Sequence, residues 1–105
     1  MSESRVAIVT GGTRGIGGAI TSLLAQGGVR VAAGYSRGKD SAEKLQSALS
    51  AQGATVSIHQ GRVDDPTDCQ RVVREVLDRY GRVDWLVNNA GITVDKTVRK
   101  MTPED

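Results

Sequence analysis

The stretch Val6-Ala7-Ile8-Val9-Thr10-Gly11-Gly12-Thr13-Arg14-Gly15-Ile16-Gly17 decides the fold of this 105-residue chain. Residues 6–9 form a short apolar run, which is typical of a strand buried on both faces of a sheet. The glycines that follow permit a tight turn from that strand into a helix. Because a helix N-terminus presents unpaired backbone N–H groups and a partial positive charge, the turn predicts a site for the pyrophosphate of a dinucleotide.

The rest of the chain alternates strand and helix patterns, which predicts right-handed crossovers and a parallel sheet. We expect an α/β fold, the amino-terminal half of a Rossmann-type doubly wound sheet, with strand order 3-2-1-4 and the fourth strand at an unpaired edge. The predicted strands are residues 5–9, 29–35, 55–60 and 83–87, and the first two helices are residues 15–26 and 41–52. The third helix has the clearest ends, with Asp65 as N-cap, Pro66 in the first turn and Gly81 as the stop.

Helical spacing also predicts which side chains face the sheet. On the first helix these are Ile16, Ala19, Ile20, Leu23 and Leu24. On the third helix they are Cys69, Val72, Val73, Val76, Leu77 and Tyr80. Cys69 is therefore interpreted as a core residue, and His59, with no acid or serine at a recognisable spacing, as a strand-end residue.

Composition excludes several classes of function. The net charge is +2, its charges are interspersed, and aromatic residues make up 3% of the chain, so nothing indicates a nucleic-acid surface. No apolar run approaches the roughly 18 residues of a membrane span, and the N-terminus lacks a signal pattern. The single cysteine excludes an internal disulfide, and no metal-ligand cluster is apparent. We expect a cytoplasmic protein without a bound metal.

A second motif strengthens the dinucleotide interpretation. Asn88-Asn89-Ala90-Gly91 follows the apolar run at residues 85–87. Together with the spacing Thr-Gly-x-x-x-Gly-x-Gly in the first turn, this motif resembles the short-chain dehydrogenase/reductase family over essentially the whole chain. The resemblance implies that Asn89, Ala90 and Gly91 lie along the ribose and nicotinamide. For Asn88, a structural role and a cofactor contact remain equally open.

In the first turn, the resemblance implies a cofactor site built from consecutive residues. Gly11, Gly15, Ile16 and Gly17 belong to the pyrophosphate turn, and Thr13 and Arg14 lie at its tip, within reach of the adenosine ribose phosphate.

The end of the second strand indicates which dinucleotide is bound. An acidic residue there would accept hydrogen bonds from the ribose 2′-hydroxyl of NAD and repel a 2′-phosphate. The sequence instead has Ser36 and Arg37, with no acid before Asp40. A hydroxyl and a guanidinium suit a phosphate monoester, so the predicted cofactor is NADP(H).

After the third strand, the family's usual Asp-Val holds the adenine. Here Arg62 stands at the aspartate position, so a side-chain acceptor is lost, while the backbone of Val63 is still expected to meet the base. Asp64 is a candidate replacement for that acceptor.

No catalytic residue is assigned within residues 1–105. Tyr35 and Lys39 have the Tyr-x-x-x-Lys spacing of the family's catalytic pair, but they lie at a strand end beside the adenosine. Thr102-Pro103-Glu104-Asp105 is typical of a helix start. We expect residues 1–105 to be the amino-terminal part of one domain, without its catalytic half and its serine, tyrosine and lysine.

Within the family, residues 88–95 and Lys100-Met101-Thr102 resemble 3-oxoacyl-[acyl-carrier-protein] reductases and acetoacetyl-CoA reductases. This resemblance implies NADPH-dependent reduction of a 3-ketoacyl thioester of CoA or acyl carrier protein by a homotetramer. Asp95 is either near the substrate entrance or a solvated loop acid. The alternative is a non-catalytic NADP(H)-binding module or a truncated reductase remnant.

Overall fold

A central sheet organises the molecule, which the computed structural model describes at residues 5–89 and 98–99. Its strands are β1 (Val6–Thr10), β2 (Arg30–Tyr35), β3 (Val56–Gln60), β4 (Trp85–Asn88) and β5 (Val98–Arg99). They lie in the order β3-β2-β1-β4-β5, and the pairs among the first four strands are all parallel. The predicted doubly wound α/β fold and its order 3-2-1-4 are confirmed.

Three helices connect the parallel strands: α1 (Gly15–Gln26), α2 (Lys39–Ala51) and α3 (Pro66–Tyr80). The bounds of α1 agree with the prediction, while α2 begins two residues earlier than expected. The predicted ends of α3 are confirmed, since Asp65 Oδ1 accepts hydrogen bonds from the backbone N–H groups of Thr67 at 2.9 Å and Asp68 at 3.4 Å. Gly81 closes the helix with φ 80°, a left-handed conformation that favours glycine.

The core lies in two layers, one on each face of the sheet. One layer joins α1 and α2 to the strands through Val9, Ala25, Val31, Leu49 and Val56. The other joins α3 to the strands through Val6, Ile8, Ala32, Val76 and Val83. With helices on both faces, β1 and the middle of β2 are buried on both sides, and their sequences are continuous apolar runs, Val6–Val9 and Val31–Ala33.

The predicted inward stripe of α1 is partly wrong. Ile16 and Leu23 are 75% and 71% exposed, and Ala19 is also exposed. The helix instead buries Gly17, Gly18, Thr21 and Ala25, with Ile20 and Leu24 packed against the core. Gly17 lets the helix backbone approach the turn closely, because a Cβ there would overlap the carbonyl oxygen of Gly11, and the contact face of the helix lies away from the stripe that apolar spacing predicts.

Cys69 is also corrected, because its side chain is exposed rather than in the core. It lies in the first turn of α3, where its Sγ is 3.5 Å from the carbonyl oxygen of Val63. The start of this helix contacts the loop that follows β3, and the residues of the stripe that pack against the core begin at Val72.

At one side of the sheet, β4 does not form the unpaired edge that the sequence predicts. The short strand β5 pairs with it in antiparallel fashion, with Leu86 opposite Arg99 and Val87 opposite Val98. A parallel edge strand offers a row of free N–H and C=O groups, and β5 uses part of that row.

At the other side, side chains cover parts of the outer edge of β3. Gln46 Nε2, from α2, donates to the carbonyl oxygen of Val56 at 3.0 Å. Arg71 Nη2, from α3, donates to the carbonyl oxygen of Gln60 at 2.6 Å. In the described part of the chain, no helix has the length and apolar character needed to span a membrane.

Candidate cofactor site

The turn after β1 and the start of α1 need glycine for two different reasons. Gly11 and Gly15 adopt φ values of 61° and 60°, which side chains with a Cβ rarely tolerate. A Cβ on Gly17 would overlap the carbonyl oxygen of Gly11 and lie 2.6 Å from Nδ2 of Asn89. The turn is thus tightly closed against the start of α1.

The N-terminus of α1 is open to an anion. Its N-cap residue, Arg14, is extended and makes no capping hydrogen bond with its side chain, and the first turn contains no acidic residue. The first N–H group bonded back to the cap is that of Gly18, at 3.1 Å from the Arg14 carbonyl. The N–H groups of Gly15, Ile16 and Gly17 precede it, at the start of the helix. N–H groups in these positions are the donors at an anion-binding helix N-terminus.

The two sequence motifs meet at the carboxyl ends of β1 and β4. The backbone N–H of Asn89 donates to Oγ1 of Thr10 at 2.9 Å, and its Nδ2 donates to the carbonyl oxygen of Gly11 at 3.3 Å. Thr10 Oγ1 also lies 3.1 Å from Oδ1 of Asn88, as donor to it. Asn89 therefore holds the glycine turn, and Asn88 has a structural contact, while Ala90, Gly91 and Asp95 lie outside the described residues.

Basic and hydroxyl side chains surround the end of β2. Ser36 and Arg37 are exposed, and the Arg14 guanidinium lies over Gly38, with Nη1 3.5 Å from the position of an added Cβ. The turn is tied to this strand because the N–H of Gly12 donates to the carbonyl oxygen of Gly34 at 2.9 Å. The structure thus brings Arg14 to the loop that carries Ser36 and Arg37.

The other residues near this loop have different positions. Thr13 is only 5% exposed, so at the tip of the turn it is Arg14 that faces solvent. Tyr35 ends β2 and Lys39 begins α2, where its Nζ lies 4.0 Å from Glu43 Oε2. A catalytic pair would require both residues on one helix. Tyr35 and Lys39 therefore do not have the arrangement of the family's catalytic pair.

At the end of β3, Arg62 and Asp64 form an exposed, two-pronged ion pair. Arg62 Nε donates to Asp64 Oδ1 at 3.1 Å, and Nη2 donates to Oδ2 at 2.8 Å. The hydrogen bond from Arg62 lowers the pKa of the Asp64 carboxyl and raises the pKa of the guanidinium. Since both Asp64 oxygens already accept from Arg62, Asp64 is a poor replacement for the lost adenine acceptor, whereas Val63 remains 47% exposed.

The arrangement can bind an elongated, negatively charged ligand across the carboxyl edge of the sheet. Its centre is the open N-terminus of α1, between the Asn89 contact on one side and the Arg14, Ser36 and Arg37 group on the other. Ligands of doubly wound sheets bind at this edge, where the strand order reverses. Within the residues that the structure describes, no cluster of histidine, cysteine and acidic side chains could hold a metal ion.

Comparisons with known proteins agree with this geometry. The family model for short chain dehydrogenases matches residues 5–105. A 3-oxoacyl-[acyl-carrier-protein] reductase of Staphylococcus aureus is 36% identical over 105 residues, and an acetoacetyl-CoA reductase of Shinella zoogloeoides is 40% identical over 101 residues. The alignments cover 100% and 96% of this chain, but only 43% and 40% of the relatives.

Solved structures give the same result. A short-chain dehydrogenase/reductase from Serratia marcescens matches with a TM-score of 0.80 and 41% identity, over 84% of this chain and 36% of that one. A variant of actinorhodin polyketide ketoreductase with NADPH matches with a TM-score of 0.77 and 38% identity, over 84% of this chain and 33% of that one. The chain therefore belongs to the short-chain dehydrogenase/reductase family.

Proposed function

We propose that residues 1–105 are the amino-terminal part of a single dinucleotide-binding domain, which binds NADP(H) in an oxidoreductase. The proposed reaction is the reduction of a 3-ketoacyl thioester, acetoacetyl-CoA or 3-oxoacyl-acyl carrier protein, to the 3-hydroxyacyl thioester. The chain spans about two fifths of the reductases that it resembles, 43% of the S. aureus protein. In this proposal residues 1–105 bind the cofactor, and the catalytic residues lie in a part of the protein outside them.

The turn after β1 fits the pyrophosphate of the cofactor. A Cβ on Gly17 would overlap the Gly11 carbonyl, so the close approach of turn, helix and Asn89 exists only with glycine at this position. The leading N–H groups of α1, with no acid in the first turn, supply donors and positive potential for two phosphates. Asn89, Ala90 and Gly91 are proposed to continue the site towards the ribose and nicotinamide.

The observation that carries the choice of NADP(H) is the position of Arg14 over Gly38. In this position the Arg14 guanidinium lies beside the loop that carries the Ser36 hydroxyl and a second guanidinium, that of Arg37. The first acid that follows in the sequence, Asp40, lies in the first turn of α2, where a carboxylate is stabilised by the helix dipole. Two guanidinium groups and a hydroxyl suit a 2′-phosphate, and one related ketoreductase structure contains NADPH.

The substrate class rests on the names of the relatives, which include reductases of 3-oxoacyl-acyl carrier protein and of acetoacetyl-CoA. Asp95 is proposed to lie near the substrate entrance. Bound NADPH supplies hydride for the keto carbon, and the family's serine, tyrosine and lysine, outside residues 1–105, are proposed to orient and protonate the oxygen. We also propose that the protein is cytoplasmic and forms a homo-oligomer, which the family resemblance implies is a tetramer.

The cofactor choice is tested by Arg37→Asp, which puts a carboxylate where the 2′-phosphate would lie. Because a hydrogen bond to a charged group contributes about 1.5–3 kcal/mol, we expect NADPH affinity to fall about tenfold or more and NADH affinity to change little. The measurement is the Kd of each cofactor by calorimetry with the full chain. Arg74→Asp, the same charge change at an exposed position on α3, is the matched control.

Equal losses for NADH and NADPH would contradict the assignment of this loop. Turnover of acetoacetyl-CoA with NADPH by a full-length protein, which would contain the proposed catalytic part as well as residues 1–105, would support the reductase. Tight NADPH binding without any turnover would instead favour a non-catalytic cofactor-binding module.

A further inference from the structure

The loop that follows β3 is held by two side chains of α3. Arg71 Nη2 donates to the carbonyl oxygen of Gln60 at 2.6 Å, and Asp68 Oδ2 accepts from the backbone N–H of Arg62 at 2.9 Å. Between these two bonds lies Gly61, where an added Cβ would come within 3.2 Å of Val72 Cγ2 and 3.3 Å of Arg71 Nη2. We call Asp68 and Arg71 the α3 clamp, since they fix the backbone on both sides of Gly61 against the helix.

A chain of hydrogen bonds lies behind the clamp and runs into the core. Arg71 Nη1 donates to Glu75 Oε2 at 2.9 Å, and Glu75 Oε1 lies 2.8 Å from His59 Nδ1. His59 Nε2 in turn lies 2.7 Å from Ser57 Oγ. The chain therefore connects an exposed guanidinium to two buried side chains of β3, Ser57 and His59.

Electrostatic interactions keep this series of hydrogen bonds in one arrangement. The hydrogen bond from His59, followed by the one from Arg71, lowers the pKa of the Glu75 carboxyl against the opposing effect of burial. An ionised Glu75 accepts from both neighbours, so it fixes the rotamer of Arg71 as well as the donor role of His59 Nδ1. Arg71 is thereby preorganised to hold the Gln60 carbonyl.

The same order of groups, serine to histidine to carboxylate, occurs in hydrolases, but here it cannot serve that chemistry. Ser57, the second residue of β3, is 2% exposed and lies beneath α3, so a substrate cannot reach its Oγ. A nucleophile must contact the group that it attacks. The effect of this series of hydrogen bonds is therefore on the group at its outer end, which is Arg71 of the α3 clamp.

We propose that Asp68 and Arg71, supported by Glu75, His59 and Ser57, are positioning residues that set the backbone of Val63 for recognition of the adenine base. This inference rests on the proposed function, which puts the adenine beside Val63. The aspartate that would contact the base in other family members is replaced by Arg62, and Asp64 is engaged by that arginine. Base recognition then depends on the backbone, and backbone recognition depends on the loop being held in place.

Val63 offers one group for this task. Its carbonyl oxygen lies 3.5 Å from Cys69 Sγ, so we assign its N–H to the base. Adenine N1 accepts a hydrogen bond, whereas N1 of hypoxanthine carries a hydrogen and opposes an N–H donor. A well-placed Val63 must therefore prefer adenine to hypoxanthine, and a loosened loop must lose that preference.

The experiment compares the Kd of NADPH with that of its hypoxanthine analogue, deamino-NADPH, for the full chain. In the unaltered protein we expect a preference for NADPH of about tenfold. Asp68→Ala and Arg71→Met should each reduce it to threefold or less, and Glu75→Gln, which keeps the size of the side chain, should do the same. Asp78→Ala and Arg74→Met, at exposed positions on the same helix, should leave it unchanged.

The ratio distinguishes positioning from general weakening, because a merely destabilised protein would lose affinity for both nucleotides equally. A preference that persists in the two clamp variants and in Glu75→Gln would overturn the proposal. No preference in the unaltered protein would overturn it too, while leaving NADPH binding intact. If neither nucleotide binds the unaltered protein, the proposed function itself fails, and this inference fails with it.

Discussion

Single residues set the geometry of the candidate site through close contacts more than through charge. Gly17 is the clearest case, since the start of α1, the Gly11 carbonyl and the Asn89 amide converge on the space that a Cβ would occupy. The sequence pattern predicts that glycine is needed here. It could not predict which neighbours fill the space, because Asn89, which directly follows β4, is more than 70 residues away in sequence.

At this residue we expect Gly17→Ala to destabilise the fold by about 3 kcal/mol or more, at or above the upper end for overpacking, and to weaken cofactor binding, because the Cβ would overlap backbone atoms of Gly11. Gly18→Ala is the matched control, because its Cβ would meet only the Thr13 carbonyl group, at 3.4 and 3.5 Å. Within a helix, alanine in place of glycine should stabilise that variant by about 0.5–1 kcal/mol. Urea denaturation measures both, and equal effects in the two variants would contradict the close approach.

The ends of a helix or strand can be predicted from the sequence where the residues that determine each end lie within a few positions of it. The third helix illustrates this, since Asp65, Pro66 and Gly81 fix both of its ends and all three act on neighbouring backbone. Its first turn also supplies Asp68 to the α3 clamp. A correctly capped helix is thus a condition for the loop after β3.

For α3 we expect Asp65→Ala to cost about 1 kcal/mol of stability, since the N–H groups of Thr67 and Asp68 would lose their acceptor. Asp65→Ser, which retains a capping oxygen, should recover most of that loss. The free energy of unfolding in urea measures both changes. A serine variant as unstable as the alanine variant would show that the cap is not the cause.

The elements that the sequence does not predict well depend on partners distant in the chain. The buried face of α1 is misassigned because Gly17 and Gly18 give no hydrophobic signal, although both are buried. The link from His59 to Glu75 is missed because it joins a strand to a helix 16 residues later, with no motif at that spacing. Likewise, β5 is too short, at two residues, to carry a strand pattern.

Over the whole molecule, Asp84, which directly precedes β4, connects that strand to β1 at the end of the sheet opposite the cofactor site. Its Oδ2 accepts from the backbone N–H of Val6 at 2.8 Å, and Arg82 donates to both of its oxygens, at 2.9 and 2.7 Å. Burial raises the pKa of the Asp84 carboxyl, but the bonds from Arg82 and Val6 outweigh it, so the pKa is lowered overall.

A lowered pKa in the folded protein gives a definite direction to the pH dependence. The stabilisation is fully present above the unfolded value of 3.8 and is lost as the pH falls through the lower, folded value. We expect Asp84→Asn to cost about 1–3 kcal/mol near neutral pH and to flatten the loss of stability below about pH 4. Unfolding free energies measured from pH 7 to pH 2 test this, with Asp78→Asn as the control for net charge. Identical acid profiles for the two variants would contradict the role of Asp84.

The side chains on the outer edge of β3 have a consequence for the behaviour of the protein at high concentration. In a parallel pair alternate carbonyls point outward, and Gln46 and Arg71 occupy the outward acceptors of Val56 and Gln60 at the two ends of the strand. A strand from a second copy would have to displace both side chains before it could extend the ladder. This side of the molecule therefore resists the strand-by-strand recruitment that begins fibrous aggregation, without using proline or a bulge to do so.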